Sequence, residues 1–138
     1  MAEISLILPA FMADYEGRPW RWSFVDCCIA VADLSIAYGT DDPAADLRGT
    51  YATEDECHAV MEAAGGLIPF GDRLEGVGWR RADTPSEGCV AVIGSPTTVT
   101  RQWSAIRYRN GWKVRADAGW LPFMARPLAI WEYPCRNS

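Results

Sequence analysis

Phe24-Val25-Asp26-Cys27-Cys28-Ile29-Ala30 is the stretch on which the reading of this chain turns. It sets an acid and a thiol where an aromatic lead-in (Trp20, Trp22, Phe24) gives way to a helical pattern. Ser23 followed three residues later by Asp26 resembles a capping box with the shorter acid. The helix is predicted to run to about Tyr38, where Gly39 supplies a stop. Along it Cys27, Ala30, Val31, Leu34 and Tyr38 make one face, Ile29, Ala32 and Ile36 another, and only Asp33 and Ser35 are polar in the body. A helix apolar almost all round belongs at the centre of a fold. Cys27 is thus expected at the N-terminus of a buried helix, where unpaired N–H groups and the dipole favour thiolate. Free cysteine also serves commonly as a small buried apolar residue, and position alone leaves both roles open.

Upstream, Ile4, Leu8, Phe11 and Tyr15 recur at helical spacing, with Pro9 either in a first turn or dividing the segment. Downstream, Asp41-Asp42-Pro43 reads as a turn into a short helix, Ala44 to Arg48, closed by Gly49. Thr53-Glu54-Asp55-Glu56 is a T-x-x-E capping box, after which Cys57, Val60, Met61 and Ala64 repeat until Gly65-Gly66. His58 lies off that face with Glu54 and Glu62 four residues away on either side, which predicts an exposed side chain. The stretch 67–87 has no period and reads as a long loop, with Val77-Gly78-Trp79-Arg80 as a short extended piece. Strand patterns follow at Cys89 to Ile93, Trp103 to Tyr108, Trp112 to Arg115 and Leu128 to Tyr133, and Asn110-Gly111 is a hairpin signal. The expected class is α+β in one domain over residues 1–138. Its helical part covers about 4–66, its loop about 67–87, and its antiparallel sheet of about four or more strands about 88–134, with the helices on one face.

Composition narrows the function classes. The chain has 138 residues, 49% of them hydrophobic, and seven Trp, enough for a core that buries roughly 68% of the unfolded surface. Its net charge is -5, and all but Lys113 of its 13 basic residues are Arg, scattered rather than clustered. No basic stripe is present to track a nucleic acid. Cys27, Cys28, Cys57, Cys89 and Cys135 form no C-x-x-C pair, and His58 is the sole histidine. Neither a disulfide framework, a metal site nor any other cofactor is therefore expected. The glycines between Gly71 and Gly78 lack the Lys and the strand-turn-helix setting of a phosphate loop. Glu3 is the sole charge before Asp14, and the apolar run Ile4 to Leu8 is short, so the expectation is a protein made in a reducing cytoplasm without a membrane span.

The order Trp22-x-x-x-Asp26-Cys27-x-x-x-Val31-Ala32-Asp33, then Gly39-x-Asp41-Asp42-Pro43, Arg48-Gly49-x-Tyr51 and Gly65-Gly66, resembles a family of short phage and prophage proteins. These are similar to NlpC-type, papain-like cell-wall cysteine peptidases, and the likeness runs from about Trp20 to Tyr133. It implies a papain-like NlpC-type fold with Asp26-Cys27 at the nucleophile motif. Gly88-Cys89 stands where Gly-Asp opens the first strand of active members, so that acid is missing. Trp103-Ser104-Ala105-Ile106 stands where the histidine-bearing strand lies, and Trp103 occupies the histidine position. An indole has no acceptor nitrogen, and loss of base-assisted proton transfer costs on the order of 100- to 10,000-fold. The resemblance thus implies a vestigial nucleophile in a structural or assembly component of a phage or phage-like tail, at the tail tip or baseplate. Such a protein enters the virion after synthesis in the host cytoplasm, its partners being tail-tip hub or distal tail proteins, with the bacterial cell wall as a further contact. The alternative is a thiol peptidase or amidase on cell-wall peptides, with Cys27 as nucleophile and an unrecognised base.

Aromatic residues supply candidate binding positions. Trp103, Trp112, Trp120 and Trp131 fall in the strand half, mostly as core. Arg107, Arg109 and Arg115 alternate beside them, so an Arg/aromatic docking surface on the hairpin, with Arg107, Arg109 and Trp112, is one expectation. Trp20 and Trp22 beside Cys27 are a second, lining the former substrate groove for a peptide or small molecule.

Overall fold

A computed structural model describes residues 3–134, so Cys135 lies outside the described residues. Four α-helices precede and lead into a six-stranded antiparallel sheet, an α+β architecture. The helices are α1 (Ile4–Glu16), α2 (Cys27–Ala37), α3 (Glu54–Ala64) and α4 (Ile68–Asp72), the last passing into a 3-10 turn, Arg73–Val77. The strands are β1 (Arg80–Ala82), β2 (Val90–Gly94), β3 (Gln102–Tyr108), β4 (Gly111–Ala116), β5 (Gly119–Phe123) and β6 (Ala129–Glu132), in the order β1-β6-β2-β3-β4-β5. No helix among the described residues is long and apolar enough to cross a membrane.

The strongest local signals form as expected. α1 forms and buries Leu8, Met12 and Tyr15, although Pro9 neither sits in its first turn nor divides it, as one or the other was expected. The α3 box closes with Thr53 Oγ1 accepting from Glu56 N at 3.1 Å, while Glu56 Oε1 reaches back to Ala52 N at 2.8 Å, one residue before the usual target. Gly65 then ends α3 in the left-handed region, φ 83°.

Four expectations need correction. Residues 44–48 make turns and no helix: Asp42 Oδ1 accepts from Ala44 N, and only Leu47 N and Arg48 N bond back to the Ala44 carbonyl. The supposed loop 67–87 contains α4, the 3-10 turn and β1, pinned by the buried anchors Leu67, Leu74 and Trp79, whose indole N–H donates to Ser35 Oγ at 2.9 Å. The hairpin turn is centred one residue early. Arg109 (φ 53°) and Asn110 (φ 58°) are its two left-handed residues, as a type I′ turn requires, while Gly111 pairs with Tyr108. Arg109 N donates to Glu87 Oε2 at 2.8 Å, which holds that register. Finally, β5 (Gly119–Phe123) went unforeseen.

Strand alternation separates two cores. Val90, Val92 and Ile106 face the helices, packing with Leu8, Met12, Val31, Leu34 and Trp131. Ala91, Ile93, Ala105, Trp112, Val114 and Ile130 form a second cluster on the opposite face, where Ala125 packs. Ala125 lies in the connection that carries the chain from β5, at one edge, past β4, β3 and β2 to β6. On a flat sheet those four strand spacings cover about 19 Å, and the six Cα steps from Phe123 to Ala129 reach at most about 20 to 22 Å. The connection is therefore drawn nearly taut across the face that the helices leave open.

Polar contacts tie α1 to both layers. The Arg115 side chain is buried and donates to the carbonyls of Tyr15 (3.2 Å), Glu16 and Arg18, closing the C-terminal end of α1 with a cation. Tyr15 Oη in turn donates to Asp33 on α2 at 2.8 Å, and Asp33 pairs with Arg48, which also pairs with Asp42.

Gly71 in α4 sits so close to Trp131 that a Cβ there would overlap the indole. Overpacking a well-filled core costs about 1–3 kcal/mol, so Gly71→Ala is expected to lose that much in urea unfolding. An unchanged midpoint would show that α4 does not dock on Trp131.

Candidate functional site

Backbone geometry before α2 creates the site. Arg21 and Val25 bond to each other in both directions, at 3.1 and 2.7 Å, and this tight loop holds Ser23 at φ 63°. Ser23 is therefore not the helix cap expected from its spacing to Asp26. Its Oγ turns away to accept from Gly49 N at 3.0 Å. Asp26 itself is the cap, with Oδ1 accepting from Ile29 N at 2.8 Å and Oδ2 accepting from Ser23 N at 2.9 Å and from Tyr51 Oη at 2.7 Å. Only 2% of this aspartate is exposed. The three donors offset the desolvation of its charge.

Cys27 follows as the first helical residue. β3 pairs with β4 only from Ile106 to Tyr108, so residues 102–105 and 114–116 diverge. Helix α2 touches both strands, and Cys27 packs against the second core at this gap. A cavity of about 470 Å³ opens here, lined among others by Trp20, Trp22, Asp26, Cys27, His58 and Trp103.

The surroundings of the partly exposed Cys27 do not favour thiolate. Burial pushes the Cys27 pKa well above its ordinary 9.0, and the adjacent Cys28 thiol and the Asp26 carboxylate push it the same way. A backbone hydrogen bond at Ser104 offsets only part of this. The preference for thiolate expected at a helix start is thus opposed by burial, the largest of these causes. Burial likewise raises Cys28 to about 12, with Ser104 Oγ donating to its sulfur at 3.8 Å, and Cys57 to about 11.

Trp103 stands on the cavity rim, 37% exposed and stacked on Phe123 with ring centroids 6.2 Å apart. Trp20 and Trp22 meet edge to face at 5.0 Å on the same cavity. The fold therefore gathers Trp20, Trp22, Asp26, Cys27 and Trp103 into one place. His58 joins them half-buried rather than exposed, since the α3 surface beside its buried Met61 still borders the cavity. It is not among the main groups acting on the Cys27 thiol.

The hairpin residues are elsewhere. Trp112 is 3% exposed in the second core, beneath the Arg107 guanidinium at 5.1 Å, so it cannot present its ring to a partner as expected. Arg109 projects from the turn over Tyr108, and Arg115 is turned inward. Leu121 and Phe123 on β5, and Glu54 and Asp117, line the cavity without having been anticipated. Glu54 was marked only within the helix cap and as a neighbour of His58, Asp117 had no motif, and β5 lacks an alternating pattern. Among the described residues, no group of three or more His, Cys, Asp or Glu could hold a metal ion.

A model of the family described as "Domain of unknown function (DUF6950)" matches residues 4–82, more than half of the chain and including Cys27 with its cap. No curated protein and no solved structure matches.

Asp26→Ala leaves two N–H groups and a hydroxyl without their acceptor, and is expected to cost about 2–4 kcal/mol in denaturant unfolding. A loss below about 1 kcal/mol would remove the carboxylate as the anchor of the site. A second expectation concerns alkali. The four described thiols and Tyr15 and Tyr51 all have raised values, Cys57 and Cys89 at about 11 and Cys28 at about 12. The unfolded chain then ionises first and binds fewer protons, so stability is intact below about pH 8.5 and falls as the pH rises toward the folded values. Urea midpoints under reducing conditions should hold to about pH 8 and drop steadily from about 9 to 11. A flat profile would mean that these groups reach water.

Proposed function

From the premise that the chain belongs to the DUF6950 family, we propose that it is a catalytically silent, papain-like relative of NlpC-type cell-wall peptidases, acting as a docking component of a phage or phage-like tail. The observation that carries this reading is the state of Cys27. Its position at the start of a central helix against an antiparallel sheet suits a nucleophile, yet its surroundings hold it as a neutral thiol. Trp103, at the strand position that the resemblance assigns to the base, is stacked on Phe123 and accepts no proton. A thiol of this kind attacks a peptide carbonyl slowly, because thiolate is the nucleophile.

The geometry supports docking in place of cleavage. The cavity survives without its chemistry, and large apolar side chains gather beside it. Trp103, Leu121, Phe123 and Met124 are all exposed, at 37%, 42%, 36% and 104%. Clustered exposed aromatics of this kind are what protein partners bury. Neighbouring tail-tip or distal tail proteins are the partners this reading assigns. One observation favours the peptidase alternative, namely His58 on the wall of the same cavity.

Three measurements decide between them. Mass spectrometry and imaging of purified tails should find the chain at the tip, and tails that lack it would sink the structural role. Iodoacetamide at about pH 7 should modify Cys27 at least about tenfold more slowly than a free thiol. Peptidoglycan should stay intact with wild type and Cys27→Ala alike. Fast alkylation that depends on His58, or cleavage abolished by Cys27→Ala, would establish the peptidase instead.

A further inference from the structure

The cavity beside Cys27 combines two chemistries that together specify an occupant. Its volume of about 470 Å³ falls in the range that takes a side chain with its flanking backbone. Its aromatic walls are the Trp20–Trp22 pair and the Trp103–Phe123 stack. Its charged lining comprises three carboxylates, Asp26, Glu54 and Asp117, against the single guanidinium of Arg115.

These charges are not equivalent. Asp26 already accepts from Ser23, Ile29 and Tyr51, and the Arg115 side chain is directed into the carbonyls at the end of α1. Glu54 and Asp117 are exposed and, among the described residues, enter no ion pair. Two free carboxylates facing a concave, low-dielectric surface focus a negative potential. Aromatic faces add to it, since their quadrupole attracts cations. An anionic or purely apolar occupant would leave this field unanswered. A cation on a long aliphatic stem answers it, with the stem against the indoles and the charge toward the carboxylates.

We propose that this cavity is a docking pocket for a Lys or Arg side chain of a partner protein, carried on an extended segment with large apolar neighbours. Those neighbours meet Leu121 on the cavity lining and the exposed Met124 that follows Phe123. The pocket rests on the reading that the groove docks rather than cleaves, and it names the chemistry of the partner.

The test uses the full chain and three acetylated, amidated peptides, Ala-Leu-X-Leu-Ala, with X as Lys, norleucine or Glu. Binding is followed by tryptophan fluorescence and by mass spectrometry of the recovered peptide. The Lys peptide should bind at least about tenfold more tightly than the Glu peptide, with the gap narrowing as salt rises. Glu54→Gln combined with Asp117→Asn should remove most of that preference and leave the norleucine peptide unaffected. Both substitutions are at exposed positions, and an unchanged thermal midpoint confirms that the variant folds. Trp103→Ala should weaken all three peptides. Absence of binding, equal binding of Lys and Glu peptides, or a preference that survives the double variant overturns the pocket. Recovery of cleaved peptide overturns the silent-peptidase reading instead, so the two failures are told apart.

Discussion

One buried carboxylate organises the molecule. Asp26 receives hydrogen bonds from the aromatic lead-in at Ser23, from the first turn of α2 at Ile29, and from Tyr51 just before α3. A charge removed from water requires such partners, and each of them belongs to a different stretch of chain. The carboxylate thereby fixes where α2 begins, and with it the place of Cys27 at the gap between β3 and β4. The same charge makes a second anion beside it costly. Burial does most to hold Cys27 as a thiol, and the group that positions it acts in the same direction, so placement and activation, which a nucleophile needs together, are opposed here.

Arg115 has the complementary task at the other end of the polar network. Its guanidinium meets the free carbonyls that end α1, and Tyr15 passes the connection on to Asp33, Arg48 and Asp42. Helices whose packing faces are almost wholly apolar could slide against the sheet. These directional contacts set their register, at the expense of burying a cation whose donors must all be matched.

The elements legible in the sequence were those with local causes. α2 showed in its continuous apolar pattern, α3 in its Thr53 and Glu56 box, and β2 and β3 in β-branched and aromatic runs. The segments that stayed hidden are held by distant partners. α4 owes its place to Gly71 against Trp131, β1 to pairing with β6, and β5 to pairing with β4. For the candidate site, Cys27, Asp26, Trp20, Trp22 and Trp103 were recognisable from motif and spacing. The inward turn of Trp112 and Arg115 was not, since alternation along a strand does not say that both faces of the sheet are covered. Ser23 misled for a related reason: its spacing was right, but the Arg21–Val25 bridge directs its hydroxyl elsewhere.

The position of β6 has a consequence for how the fold is reached. Last in order among the described strands, β6 lies between β1 and β2, pairing with both, and it supplies the buried Ile130 and Trp131 to the two cores. Until residues 129–132 are in place, β1 has no neighbour in the sheet and α4 has no indole to rest on. Partners so far apart in sequence are slow to meet. The β2–β5 meander pairs without β6, whereas α4 and β1 both depend on it. Without residues 129–132 in place, one edge of β1 and one edge of β2 are left unpaired, beyond the sheet's own outer edges at β1 and β5.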